Sequence, residues 1–185
     1  MKKKQLANIV MVALIVIMVA AGVLVAIVLR GENGSVNLGG TSATLTDAAG
    51  DKTCTIVIRC DSILSNLEAL DPTKAPYVPE SGYILTETTV SFTEGESVFD
   101  VLQRVCQEAG IQLEYSWSPL YDSYYVEGIN HIYEFDCGPE SGWMYMVNDQ
   151  FPNYGSSDRE VMAGDKIVWC YTCNGLGVDV GAKQE

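Results

Sequence analysis

Apolar and polar positions divide the chain into three stretches. Ile9 to Leu29 is a run of 21 residues without a charge, almost all Val, Ile, Leu, Met and Ala. As a helix it extends about 31 Å, the thickness of a bilayer's hydrocarbon core. Residues 30–52 are Gly, Ser, Thr and Asn with few large apolar groups, too few to bury a core, and read as a flexible tether. From Thr53 to about residue 181, short periodic segments alternate with turn signals, as expected of one domain, and 182–185 form a tail.

Within that domain the β-branched segment CTIVIRC predicts a strand through Cys60. Ile63, Leu64, Leu67 and Leu70 share one helical face, opened by Asp61 or Ser62 and stopped before Pro72. Three prolines mark 71–87 as a loop, and TTVSFTE predicts a strand over 88–94. The clearest element is the next helix. Ser97 can cap it with Asp100 at the third helical position, and Val98, Val101, Leu102, Val105, Cys106 and Ala109 repeat at helical spacing up to Gly110. IQLEYSW at 111–117 alternates as a strand, an aromatic loop follows at 118–130, and 131–136, 142–148 and 166–172 are strand-like. Asn148-Asp149 and Ala163-Gly164-Asp165 supply turns. The order predicts an α+β domain with a mostly antiparallel sheet and one main helix.

Charge sets the orientation. Lys2, Lys3 and Lys4 precede the apolar run, and all 24 acidic residues follow Arg30. The positive-inside rule therefore places residues 1–8 in the cytoplasm and the domain outside, with 9–29 an uncleaved signal anchor in the cell membrane. A cleaved signal peptide has a shorter apolar core of roughly 7–15 residues, and here the small-residue stretch Val19-Ala20-Ala21-Gly22 lies inside the run. The fourteen Val, Ile and Leu side chains of the run contribute roughly −4 to −8 kcal/mol to insertion. Only seven Lys and Arg face those 24 acids beyond Arg30, so the domain offers no basic surface for nucleic acid.

Candidate chemistry is sparse. His131 is the sole histidine, and neither G-x-S-x-G nor H-E-x-x-H occurs, so no enzyme is expected and His131 reads as a surface or hydrogen-bonded residue. Glu134, Asp136, Glu140 and Asp149 match no calcium-loop spacing, and no metal site is expected. Asn33-Gly34-Ser35 is a short sequon that chance explains. Cys54, Cys60, Cys106, Cys137, Cys170 and Cys173 are an even set that suits disulfides in an exported domain, with fifteen pairings open. Cys54 and Cys60 share one strand, about 20 Å apart when extended, which disfavours that pair. Cys170-Tyr171-Thr172-Cys173 ends a strand instead of opening a helix, which argues against a catalytic redox pair.

EGESVFDVLQRVCQEAGI, GWMYMVNDQFPNYG and AGDKIVWCYT occur in that order. Over roughly 53–181 the chain resembles the bacterial domain-of-unknown-function family (DUF4430-like) related to the C-terminal β-domain of transcobalamin and intrinsic factor. The resemblance implies a β-grasp-like fold and a corrinoid such as cobalamin as ligand. In the animal carriers that domain closes over the corrinoid against a helical barrel, so binding here implies a partner, a dimer or an open face. The aromatic residues add a surface: Trp117, Tyr121 and Tyr125 in or beside the 118–130 loop, and Trp143, Tyr145, Asn148, Phe151 and Tyr154 around the hairpin. The expected function is an extracytoplasmic binding module with these residues on one aromatic face. The alternative is a structural or adhesive domain that contacts cell-surface proteins.

The anchor is testable directly. Alkaline carbonate washing of sedimented envelopes is expected to leave the intact chain in the pellet, and its release into the supernatant contradicts a membrane span.

Overall fold

Strands from the two ends of the folded segment meet at its centre. The computed structural model describes residues 52–182. The span at 9–29, the sequon at Asn33 and nearly all of the tether lie outside the described residues, and among the described residues no helix is long and apolar enough to cross a membrane.

β1 (Thr53–Arg59) and β7 (Lys166–Thr172) run parallel, Thr55 opposite Lys166 through Arg59 opposite Cys170. β2 (Tyr83–Ser91) joins β1 antiparallel on one side and β6 (Gly142–Val147) joins β7 antiparallel on the other, giving the order β2-β1-β7-β6. β3 (Leu113–Ser118), β4 (Ser123–Ile129) and β5 (Ile132–Tyr133) make a second, antiparallel sheet.

The period-2 alternation of the central strands sorts their side chains into two layers. Ile56, Ile58, Ile167, Trp169, Tyr171 and Trp143 enter the main core with Val98, Phe99, Leu102 and Val105 of α1 (Val98–Ala109) and with Val126, Ile129 and Ile132 of the second sheet. Val57, Met146, Val168 and Cys170 turn to the opposite face, where Val180, Met144 and Phe151 pack on them. Burial on both faces is why KIVWCYT reads as a continuous apolar run.

The main helix forms as expected. Ser97 Oγ accepts from Asp100 N at 3.1 Å and Asp100 Oδ2 accepts from Ser97 N at 2.9 Å, a reciprocal box at the N-terminus. Gly110 closes the other end at φ 67°, a conformation that costs a Cβ-bearing residue about 1 kcal/mol or more.

Four expectations are corrected. Residues 61–70 hold only a 3₁₀ turn, Asp61–Ser65. Asn66 Nδ2 occupies the Ser62 carbonyl at 2.8 Å while Asn66 N bonds Ile63 O, so the helical ladder stops there and Leu67 stays exposed. In the stretch read as the loop 71–87, Asp71 caps a second 3₁₀ turn, Pro72–Tyr77, and β2 begins at Tyr83. β2 is an edge strand paired only with β1, so its polar Thr86, Glu87 and Thr88 carry no burial signal. The 118–130 stretch is a hairpin arm: β4 fills most of it, while the strand expected over 131–136 shrinks to β5. Asn130 and His131, at φ 54° and 64°, turn the chain between them, so His131 sits in a turn.

Glu96 ties the start of α1 to the preceding turn. Burial raises its pKa, but the Thr93 N–H at 2.6 Å and Arg104 at 3.2 Å outweigh that and hold the carboxyl below the ordinary 4.5. A depressed folded-state pKa stabilises the fold above the unfolded value and is lost as pH falls through the folded one. Glu96→Gln is therefore expected to flatten the decline in urea midpoint between about pH 5 and 3; an unchanged slope would show that the contact does not contribute.

Candidate functional site

The loop from Tyr133 to Ser141 is anchored from the surface and from the core, and it builds one wall of a cleft. Asp136 accepts from Tyr133 N at 2.7 Å and pairs with Lys74 Nζ at 3.1 Å, and its carbonyl accepts from Asp71 N at 2.7 Å. Lys74 also lies over the Tyr133 ring, 4.4 Å from its centroid. Ser141 Oγ accepts from Cys137 N at 3.0 Å, and Ser141 O accepts from Phe135 N at 3.0 Å. From the core, the fully buried Tyr171 hydroxyl donates to Tyr133 O at 2.7 Å and meets Ser141 Oγ at 2.9 Å. Burial drives the Tyr171 pKa upward, keeping that hydroxyl a donor.

These bonds hold Phe135 in a conformation that its side chain disfavours. Its φ is +68°, and its ring is 63% exposed, so core burial does not compensate the strain. Phe135 stands with Tyr125, Glu134, Pro139, Trp143 and Met144 around a cleft of about 410 Å³. Tyr125 donates to Glu134 Oε2 at 2.6 Å; burial first, then that carboxylate, push the phenol pKa up. Trp143 lines the cleft but is itself only 8% exposed, its Nε1 donating to Ile132 O at 2.8 Å.

A second aromatic group lies on the other face of the β3–β4 hairpin. Register pairs Tyr115 with Val126 and Trp117 with Tyr124, and the alternation of side chains along β4 turns Tyr125, which pairs with Ser116, to the opposite face. Tyr124 stacks on Phe99 at 4.6 Å and meets Tyr115 and Trp117 edge-on at 5.3 and 5.1 Å. Trp117 stays 49% exposed, and Leu120 and Tyr121 at the turn are more exposed still.

The expected single aromatic face is thus divided. Trp117 and Tyr121 belong to the hairpin, and Tyr125 and Trp143 to the cleft. Tyr145 lies partly buried against Trp169, 5.5 Å between rings, its hydroxyl donating to Tyr154 O at 2.8 Å. Gly155 follows, so close to Ser123 that an added Cβ would stand 2.1 Å from its Oγ, which presses 154–157 onto the start of β4. Asn148 and Asp149 form a left-handed two-residue turn, φ 53° and 61°, and Asn148 Oδ1 accepts from Lys166 N at 2.9 Å. Phe151 packs on the opposite face of the main sheet. Register decides this split, because Tyr145 and Met146 point to opposite layers and the turn carries Phe151 to the second.

All six cysteines are thiols here, five of them buried. His131 is exposed, its ring 4.6 Å from that of Tyr77. Among the described residues no three His, Cys, Asp or Glu side chains gather as metal ligands. Phe135 was missed by sequence reasoning; its only signal is an aromatic residue between the acids Glu134 and Asp136 in a turn-rich stretch.

Cleft, hairpin and helix all fall within one matched segment. Residues 95–173 match the DUF4430 family, described as a domain of unknown function. The matched segment carries α1 and β3 to β7, while β1 and β2 precede it. A solved structure of a candidate metal-binding protein from Ruminococcus gnavus ATCC 29149 is similar over 67% of this chain and 99% of that one, at 14% identity and a TM-score of 0.40. No curated protein matches the chain.

Removing the Tyr171 hydroxyl takes one hydrogen bond from Tyr133 O, which keeps Asp136 N, and one from Ser141 Oγ, which keeps Cys137 N and Gly138 O. Tyr171→Phe is expected to cost about 0.5–1.5 kcal/mol in urea denaturation and to speed amide exchange across 133–141; protection equal to that of the parent contradicts the anchoring role.

Proposed function

We propose that the chain is a membrane-anchored, extracytoplasmic binding module, displayed by the 9–29 span and binding a small, partly apolar ligand in the Tyr125–Phe135 cleft. The observation that carries this reading is Phe135. An exposed aromatic ring kept at positive φ by bonds on both sides is strain retained at the mouth of a cleft, and such strain clusters at ligand sites. A volume of about 410 Å³ lies within the range of small-molecule sites and admits one edge of a larger planar ligand.

A corrinoid is the sharper form of the proposal. The strand order β2-β1-β7-β6, with a central parallel pair and α1 packed in the core, supports a β-grasp-like reading and with it the likeness to the cobalamin carriers. Tyr125, Phe135 and Trp143 would then meet the macrocycle's edge, and Glu134 would accept from its amide groups.

Isothermal titration of the full chain in detergent with cobalamin and cobinamide tests it. The expected result is saturable heat, weakened about tenfold or more, roughly 1.4 kcal/mol, by Phe135→Asn. The same substitution is expected to raise stability by about 1 kcal/mol, because Asn tolerates the left-handed region. No heat at millimolar ligand overturns the corrinoid form, and a Phe135→Asn variant that binds like the parent overturns the site.

The second reading is a protein-contact domain without a small ligand, favoured by the exposed Trp117, Leu120 and Tyr121 at the hairpin tip. Capture of an envelope protein that Trp117→Ala with Tyr121→Ala abolishes and Phe135→Asn leaves intact would favour it over the cleft.

A further inference from the structure

We infer that Cys137 and Cys173 form a disulfide that straps the 133–141 loop to the end of β7, whatever the cleft binds. Cys137 lies in the anchored loop, and Cys173 directly follows β7. The two side chains lie close enough for each thiol to perturb the titration of the other. Both also touch the same short turn: Cys137 Sγ donates to Asn66 O at 3.5 Å, and Cys173 Sγ lies 3.7 Å from Ser62 Oγ. The two sulfurs therefore share one small space between β7 and the 61–66 turn.

Among the described residues the other four thiols share no hydrogen bond with one another. Cys54 and Cys60 stand at opposite ends of β1, and Cys60 faces the main core while Cys170 faces the second layer. Cys106 lies in the last turn of α1 beside a groove lined by Gln103, Ile111 and Tyr115. Among the described residues, Cys137 and Cys173 are the one cysteine pair whose thiols perturb each other and whose sulfurs both bond the 62–66 turn.

The oxidant is a low-molecular-weight disulfide or a disulfide-bonded oxidoreductase. Cys173, the more exposed of the two, attacks it as thiolate, forms a mixed disulfide and releases one thiol. Cys137, giving up its proton, then attacks the Cys173 sulfur, forms the Cys137–Cys173 bond and expels the second thiol. Two thiols of the chain lose two electrons and two protons, and the oxidant's disulfide gains them. Burial raises the pKa of both thiols, so closure is slow at neutral pH and quickens about tenfold per pH unit while the thiolate stays the minor form.

The test equilibrates the full chain in detergent with oxidised glutathione, then alkylates it under denaturant and maps the peptides by mass spectrometry. The expected result is four alkylated cysteines and one cross-linked peptide pair containing Cys137 and Cys173. Six alkylated cysteines, or a cross-link elsewhere, overturns the proposal. The oxidised chain is also expected to melt roughly 10 °C above the reduced chain, a difference absent from the Cys137→Ser, Cys173→Ser double variant. A cross-link without that gain would remove its role as a strap. Both readings are made without ligand, so their failure leaves the cleft reading untouched, and a silent titration leaves the cross-link untouched.

Discussion

The parallel contact between β1 and β7 is the constraint on which the rest depends. A parallel pair cannot close through a tight turn, so everything between Arg59 and Lys166 must be carried around it as a long crossover. Both strands are covered on both faces. Each fully buried Ile or Val there contributes about 1.5–3 kcal/mol relative to exposure, in two layers at once. That burial fixes the register strongly, since a slip of one residue would exchange Ile167 and Trp169 for Val168 and Cys170 across the sheet.

From this register follows the position of every group at the cleft. Tyr171 faces the main core because Cys170 faces the second buried layer, and its hydroxyl thereby reaches the Tyr133 carbonyl and Ser141. The loop above it gains an interior anchor to match its surface anchors at Lys74 and Asp71. Anchored at both ends, the backbone can hold Phe135 at positive φ with its ring in solvent. The strain is local, but the burial that sustains it is distributed through the core.

The same geometry separates two surfaces that use the same residue types. Tyr124 and Tyr125 are neighbours in sequence and lie on opposite faces of one hairpin, the first stacked on Phe99 with Trp117 and the second bonded to Glu134. One surface is an exposed strip at a hairpin tip and the other a cleft with a buried floor. A ligand that needs partial enclosure meets the second, and a flat partner meets the first.

Several features were legible along the chain. The period-3.6 run from Val98 to Cys106 with Ser97, Asp100 and Gly110 dictated α1, because caps and an amphipathic face act within one element. The apolar strands 142–148 and 166–172, and the Asn148-Asp149 turn, followed from local composition for the same reason. β2 and β4 did not, because an edge strand and an aromatic hairpin arm present mixed polarity until their partners are known. Tertiary structure alone decided which aromatic residues share a surface, which cysteines meet, and that Phe135 stands strained at a cleft. Those are properties of register and of bonds between distant segments, and no local pattern of residue types encodes them.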